Sequence, residues 1–136
     1  MTTKFELDGF YHHAHVPGGI GKLTGEIQIE KNGWFEGQIR DHSSISPEQT
    51  LRGKFFQQDG LDQLVFLKLP KQTKLANIAY VLSKPIDESP AGNYLGEWGA
   101  MPYKVSFDNE IGLFSAEINL GMCCLGDRAE INLYRK

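Results

Sequence analysis

The 136-residue sequence has little of what a disulfide-bonded, membrane-spanning or nucleic-acid-binding protein needs. Its 2 cysteines, Cys123 and Cys124, are adjacent, and adjacent cysteines bridge each other only with strain, which excludes a disulfide framework. No apolar run approaches the roughly 20 residues of a spanning helix, and Met1–Glu6 lacks the apolar stretch of a secretory signal. With 14 basic and 17 acidic residues the net charge is -3, so no nucleic acid and no membrane is expected as a partner. We therefore expect one cytoplasmic domain over residues 1–136.

Helical periodicity is also scarce, and apolar residues instead recur at alternate positions between short turn signals. One helical turn is expected at Ser46–Gln49, where proline follows an N-cap serine. Asn32-Gly33 predicts a two-residue hairpin, and Asp59-Gly60 and Asp108-Asn109 are similar turn formers. The alternation predicts strands at Phe5–His15, Leu23–Glu30, Trp34–Asp41, Thr50–Gln57, Gln63–Leu69, Leu75–Lys84, Asn93–Met101 (continuing to Phe107), Ile111–Leu120 and Arg128–Arg135. Short connections without crossover helices predict an all-β fold, an antiparallel up-and-down meander of about 8 to 10 strands closed into a small barrel.

Glycine is abundant, with 15 residues, and part of the excess falls inside the predicted strands. Alternation puts five of these glycines on the face opposite the charged residues, namely Gly9, Gly25, Gly37, Gly53 and Gly96. Glycine in a strand costs about 0.5 to 1 kcal/mol relative to alanine, so five on one face need a reason. They permit the sharp bending of a closed barrel, leave a cavity for one small ligand, or do both.

The strand number, the in-strand glycines and the triplet Gly96-Glu97-Trp98 resemble the calycin-type barrels, the lipocalin and avidin-like group. The run Phe35–Asp41, followed later by Tyr94–Trp98, is also similar to uncharacterised small bacterial β-barrel proteins. The calycin resemblance implies a meander that surrounds a ligand.

Several aromatic and polar side chains share the inward phase, some of them at strand ends where they would line a mouth of the barrel. An apolar cavity with a few convergent polar groups is typical of small-molecule sites. We expect a small organic ligand in the barrel interior, with no cofactor. The candidate ligand-binding residues are Tyr11, His13, His15, Phe35, Asp41, Phe55, Tyr80, Tyr94 and Trp98.

The polar residues at the rim of the barrel could bind a metal ion or transfer protons instead of only forming hydrogen bonds to a ligand. His13 and His15 could both reach one metal ion, but a third ligand would have to be Asp41, His42 or a residue that the sequence does not identify, and we assign no metal site. His13 oriented by Asp41 could act as a general base, which makes these two the candidate catalytic residues. The glycine-rich run Pro17–Lys22 lacks the spacing and the following helix of a phosphate loop, so a hairpin loop is expected there, one that could cover the mouth.

The leading hypothesis is therefore a binding protein for a small, partly apolar molecule. The alternatives are a barrel-type isomerase, cyclase or lyase that uses the rim His or Asp for proton transfer, and a protein-interaction module with a filled barrel. Trp34, Phe56 and Tyr134 fall on the outward phase and could together form the interface of a homodimer.

Overall fold

The computed structural model describes residues 2–14, 16–44, 47–70, 78–100 and 127–136. These residues form eight strands, β1 (Thr2–His12), β2 (Ile20–Glu30), β3 (Trp34–Asp41), β4 (Glu48–Gln58), β5 (Leu61–Pro70), β6 (Ile78–Pro85), β7 (Gly92–Ala100) and β8 (Asp127–Arg135). The predicted strand Ile111–Leu120, the continuation of β7 to Phe107 and the Asp108-Asn109 turn lie outside the described residues. So do both cysteines.

The eight strands follow one another around a closed barrel in sequence order. Each strand pairs antiparallel with its neighbour, and β1 closes the barrel by pairing with β8, with Gly9 opposite Ile131. The predicted fold class, an all-β antiparallel meander closed into a barrel, is confirmed. The only helical segment in the described ranges is a single turn at Pro17–Gly19, and none of those ranges holds a helix with the length and apolar character to cross a membrane.

One of the predicted turns agrees with the expectation, and two differ from it. Asp59 and Gly60 both have positive φ, of 55° and 76°, and join β4 to β5 as a two-residue hairpin. Asn32 and Gly33 belong instead to a three-residue connection between β2 and β3, in which only glycine needs positive φ, of 94°. The helical turn expected at Ser46–Gln49 is wrong, because Glu48 already begins β4 and pairs with Arg40.

The barrel interior is an apolar core made by alternate residues of all eight strands. The inward phase predicted for the first four strands and for β7 is confirmed, because their inward side chains are buried there. The core consists of Phe5, Leu7, Tyr11, Leu23, Ile27, Ile29, Phe35, Ile39, Leu51, Leu64, Phe66, Tyr80, Leu82, Tyr94, Trp98, Ala129, Ile131 and Leu133.

The five in-strand glycines share this inward face but leave no empty space beside them. Each is paired with a larger apolar residue of a neighbouring strand, for example Gly53 with Phe66 and Gly37 with Ile27. A Cβ on Gly53 would overlap the carbonyl oxygen of Val65, and the other four meet a neighbouring carbonyl oxygen in the same way. Of the two explanations for the glycines, the structure therefore supports close strand approach in a bent barrel.

A second apolar cluster lies on the outer face of the barrel. Val65, Leu67 and Ala79 are buried there, and Trp34 and Phe56 pack against them. Tyr134 is 53% exposed on β8, which β1 and β2 separate from β3. The three outward aromatics proposed for a dimer interface therefore do not form one continuous patch.

Candidate functional site

A cavity of about 250 Å³ opens at one mouth of the barrel. At this mouth β1, β3, β5 and β7 end, and β2, β4, β6 and β8 begin. The lining residues are Tyr11, His13, Val16, Asp41, Ser43, Ser44, Gln49, Lys68, Ile78, Tyr80 and Trp98.

A buried charged cluster occupies one wall of this mouth cavity. Asp41 and Lys68 are 2% and 4% exposed, and Lys68 Nζ lies 2.7 Å from Asp41 Oδ2. The Tyr11 hydroxyl lies 2.9 Å from both carboxylate oxygens, and the backbone amide of Ser43 donates to Asp41 Oδ1 at 3.0 Å. Lys68 Nζ also donates to the Tyr80 hydroxyl at 3.3 Å. The carboxylate is thus held by three donors, as a buried charge requires.

The position of Tyr11 depends on a glycine that we assigned to a loop from the sequence. Gly21 lies in β2 and pairs with Tyr11 across the β1–β2 ladder. A Cβ at Gly21 would overlap Cζ of the Tyr11 ring. Glycine therefore makes room for the phenol that reaches Asp41.

Burial governs the protonation of this cluster. It lowers the pKa of Lys68 below its ordinary value of 10.5, although the negative charge of Asp41 acts in the opposite direction. Burial, together with the charge of Asp41, raises the pKa of Tyr11 well above 10, and burial with the neighbouring Tyr11 and Asp41 does the same for Tyr80. Both tyrosines are therefore neutral hydrogen-bond donors at physiological pH.

Aromatic rings also line the mouth cavity. The indole of Trp98 is fixed by a hydrogen bond of 2.9 Å from Nε1 to the carbonyl oxygen of His12. The His13 ring stacks on the indole, with centroids 5.2 Å apart and planes 18° from parallel. Tyr11 meets the same indole edge to face at 5.7 Å. Trp98, His13 and Tyr11 thus place aromatic groups in the lining of the cavity beside the charged cluster.

The Tyr80 hydroxyl has hydrogen-bonding capacity left over. Within the described part of the chain its one hydrogen bond is the one that it accepts from Lys68. Its own proton therefore has no acceptor among the described residues, even though the side chain is completely buried and lines the cavity. An acceptor atom on a bound molecule would satisfy it, because a buried donor without a partner is costly.

The structure brings together five of the nine candidate ligand-binding residues: Tyr11, His13, Asp41, Tyr80 and Trp98 line the mouth cavity. Phe35 lies in the core, edge to face with Phe66. Phe55 and Tyr94 lie toward the other end of the barrel, where the Tyr94 hydroxyl donates to the Pro90 carbonyl at 2.5 Å. His15 lies outside the described residues.

The acid–base pair suggested by the sequence has a different geometry here. The partners of Asp41 among the described residues are Tyr11, Lys68 and the Ser43 amide. The Asp41 carboxylate therefore does not orient the His13 ring. His42 Nε2 lies 2.8 Å from Thr24 Oγ1. No group of three His, Cys, Asp or Glu side chains suited to a metal ion occurs within the described ranges.

Sequence reasoning missed Lys68, which is the most distinctive residue of the site. The signal was present, because Leu64, Phe66 and Lys68 alternate along β5 and share one face. A lysine on an otherwise apolar inward phase predicts a buried cation and hence a buried partner. The loop residues Ser43 and Val16 carried no comparable signal.

The opposite end of the barrel holds a second buried ion pair. Lys84 Nζ lies 2.7 Å from Asp62 Oδ2, and Gln57 Nε2 and the Asp87 amide also donate to that carboxylate. A separate cavity of about 470 Å³ opens at this end, and neither Lys84 nor Asp62 lines it. Its walls are Thr3, Phe5, Ile29, Glu30, Lys31, Gly33, Phe55 and Pro90, which include only exposed charges.

Comparison with known proteins gives no relative from which a function could be transferred. No protein-family model matches the chain, and no curated protein or solved structure matches it either.

Proposed function

We propose that the chain binds a small, neutral organic molecule in the mouth cavity. The observation that carries the proposal is the Tyr80 hydroxyl, a fully buried donor that faces the cavity without an acceptor among the described residues. Lys68 lies beside it as a further donor. The ligand therefore presents a hydrogen-bond acceptor, such as a carbonyl oxygen, to these two groups.

The volume and the lining of the cavity further limit the range of possible ligands. A volume of about 250 Å³ is below the roughly 300 to 1,000 Å³ of sites for drug-sized ligands, so a molecule with one ring fits best. Trp98 and His13 line the cavity and would contact that ring.

The charge of the cluster favours a neutral ligand. Asp41 and Lys68 compensate each other at 2.7 Å, and both side chains are almost completely buried. An anion would compete with Asp41 for Lys68, and a cation would compete with Lys68 for Asp41, so both would enter with an uncompensated charge.

The other readings of the sequence have less support. In the acid–base alternative Asp41 orients His13, but the partners of Asp41 among the described residues are Tyr11, Lys68 and the Ser43 amide. A pure interaction module would not need an unsatisfied donor inside a cavity. Membership of the calycin group, a cytoplasmic location and a homodimer stay predictions beside this proposal.

A fluorescence titration tests the proposal, because one of the two tryptophans, Trp98, lines the cavity. Trp34→Phe leaves Trp98 as the only tryptophan. We expect benzamide to change its fluorescence saturably and to bind at least about tenfold more tightly than benzoate or benzamidine, which have the same shape but carry a charge.

The matched variants are Tyr80→Phe and Tyr94→Phe, made in the Trp34→Phe background. Tyr80→Phe removes the donor and should weaken benzamide binding by about tenfold, the value of one hydrogen bond. Tyr94→Phe removes a buried hydroxyl from the other end and should leave binding unchanged. No response to any of the three probes, or equal binding by both tyrosine variants, would refute the proposal.

A further inference from the structure

The barrel contains two buried lysines that differ in one respect. Lys68 and Lys84 are 4% and 6% exposed, and each lies 2.7 Å from one aspartate oxygen. Lys68 lines the mouth cavity, whereas Lys84 lines neither of the cavities at the two ends of the barrel. The two amines therefore have similar environments but different access to a small molecule.

The surroundings of Lys68 suit a nucleophilic amine. Its Nζ lies 4.4 Å from the centre of the Tyr11 ring, and its neighbours are the Asp41 carboxylate and the Tyr80 hydroxyl. Burial lowers its pKa, which raises the fraction of unprotonated amine at neutral pH. A desolvated lysine of this kind is the usual nucleophile toward carbonyl groups.

We propose that Lys68 forms an imine with an aldehyde or ketone bound in the mouth cavity. This inference rests on the proposed function, because it requires the carbonyl group of the bound ligand to lie next to Lys68 and Tyr80. It adds a covalent step and narrows the ligand class from neutral acceptors in general to reactive carbonyl compounds.

The step balances without any further reagent. The Lys68 ammonium passes one proton to Asp41 at 2.7 Å, and the free amine attacks the carbonyl carbon, so that a C–N bond forms. A second proton moves from nitrogen to the former carbonyl oxygen and gives a carbinolamine. Asp41 then returns its proton to that hydroxyl, the C–O bond breaks, water leaves and a protonated imine remains. Nothing is oxidised or reduced.

Asp41 and Tyr80 have separate roles in this sequence. The protonated imine carries the same single positive charge as the Lys68 ammonium, so the ion pair with Asp41 persists in the product. The Tyr80 hydroxyl would donate to the carbonyl oxygen and polarise it during attack. The cluster therefore stabilises both the attacked carbonyl and the cationic product.

Reductive trapping tests the inference on the unmodified protein. The protein is treated with benzaldehyde and sodium cyanoborohydride at neutral pH, and peptide mapping by mass spectrometry scores benzylation at each lysine. We expect Lys68 to be modified at least tenfold faster than Lys84, with saturation as benzaldehyde is raised and with competition by benzamide.

Lys68→Arg provides a second arm, because arginine keeps the positive charge beside Asp41 but has no nucleophilic amine at neutral pH. This variant should lose the fast, benzamide-sensitive modification and keep the slow reaction of exposed lysines. Should Lys68 react no faster than Lys84 while benzamide still perturbs Trp98, the imine proposal is overturned and the proposed binding function stands. Absence of both signals overturns both proposals.

Discussion

Four charged side chains are buried within the described part of the barrel, whose interior is mostly apolar. They form two compensated pairs, Asp41 with Lys68 and Asp62 with Lys84, one at each end of the core. Breaking such a pair by removing one partner typically costs about 3 to 5 kcal/mol, because the remaining charge stays buried. Removing both charges together costs far less.

The Asp62 pair predicts a specific acid sensitivity. Burial opposes the ionisation of Asp62, but hydrogen bonds from Lys84, Gln57 and the Asp87 amide outweigh it and lower its pKa below the ordinary 3.8. An aspartate with a lowered folded-state pKa stabilises the protein above the unfolded-state pKa, and this stabilisation is lost as the pH falls through the folded-state value. The double variant Asp62→Asn/Lys84→Met should therefore lose less unfolding free energy than the wild type between pH 5 and pH 2.

Urea unfolding at a series of pH values measures this difference. Asp59→Asn, in the exposed turn between β4 and β5, serves as the control and should retain the steep acid loss of the wild type. A double variant whose stability falls as steeply as that of the wild type would show that Asp62 does not contribute to the acid sensitivity.

At this scale the sequence predicts the direction of a side chain better than its partner. Parity along a strand places Tyr11, Asp41 and Tyr80 inward, because successive strand residues point to opposite faces. The contact between Asp41 and Lys68 was not predictable in the same way. It joins β3 to β5 across β4, so it depends on two successive strand registers and on the curvature of the barrel.

At the scale of the element, turn chemistry and alternation predicted most of the strands, and β3 has the same bounds in the sequence analysis and in the structure. At the mouth, β2 begins at Ile20 and β4 at Glu48, each earlier than predicted. Both extensions contain turn-forming or polar residues that lack a local strand signal. Pairing with a neighbouring strand decides their conformation, as with Gly21 opposite Tyr11.

The in-strand glycines allow a direct test of how the barrel interior is filled. Gly53→Ala should destabilise the protein by about 1 to 3 kcal/mol, because the new methyl group would overlap the Val65 carbonyl and displace β5. A glycine beside an empty cavity would behave in the opposite way, since alanine is intrinsically better in a strand.

The measurement is the free energy of unfolding in urea. Gly60→Asn is the control, because Gly60 has open space around it and asparagine tolerates its positive φ of 76°. This control should stay within about 1 kcal/mol of the wild type. An alanine at position 53 that stabilised the protein would mean that the space beside Gly53 is empty.

For the whole molecule, the pairing of β1 with β8 is what turns a meander into a barrel. It joins strands near the two ends of the described chain and leaves no free sheet edge among the eight. A closed ladder of this kind removes the unpaired backbone groups through which sheets aggregate.

Deletion of residues 127–136 should therefore abolish the native state. Both β1 and β7 would become free edges, and the core would lose Ala129, Ile131 and Leu133. We expect aggregation in size-exclusion chromatography and no cooperative urea transition. Deletion of Lys136 alone, which follows β8, should leave a cooperative transition; a cooperative, monomeric product of the longer deletion would contradict the prediction.

The pairing of each inward glycine with a large neighbour also limits errors in strand register. In the native β2–β3 ladder Gly25 faces Ile39 and Ile27 faces Gly37. A slip by two residues keeps every apolar side chain on the inner face, so hydrophobic patterning alone cannot oppose it. The slip would nevertheless set Ile27 against Ile39 in one direction and Gly25 against Gly37 in the other. Large side chains would clash in the first register, and a gap would remain between the two glycines in the second. The glycine positions therefore favour the native register of the sheet.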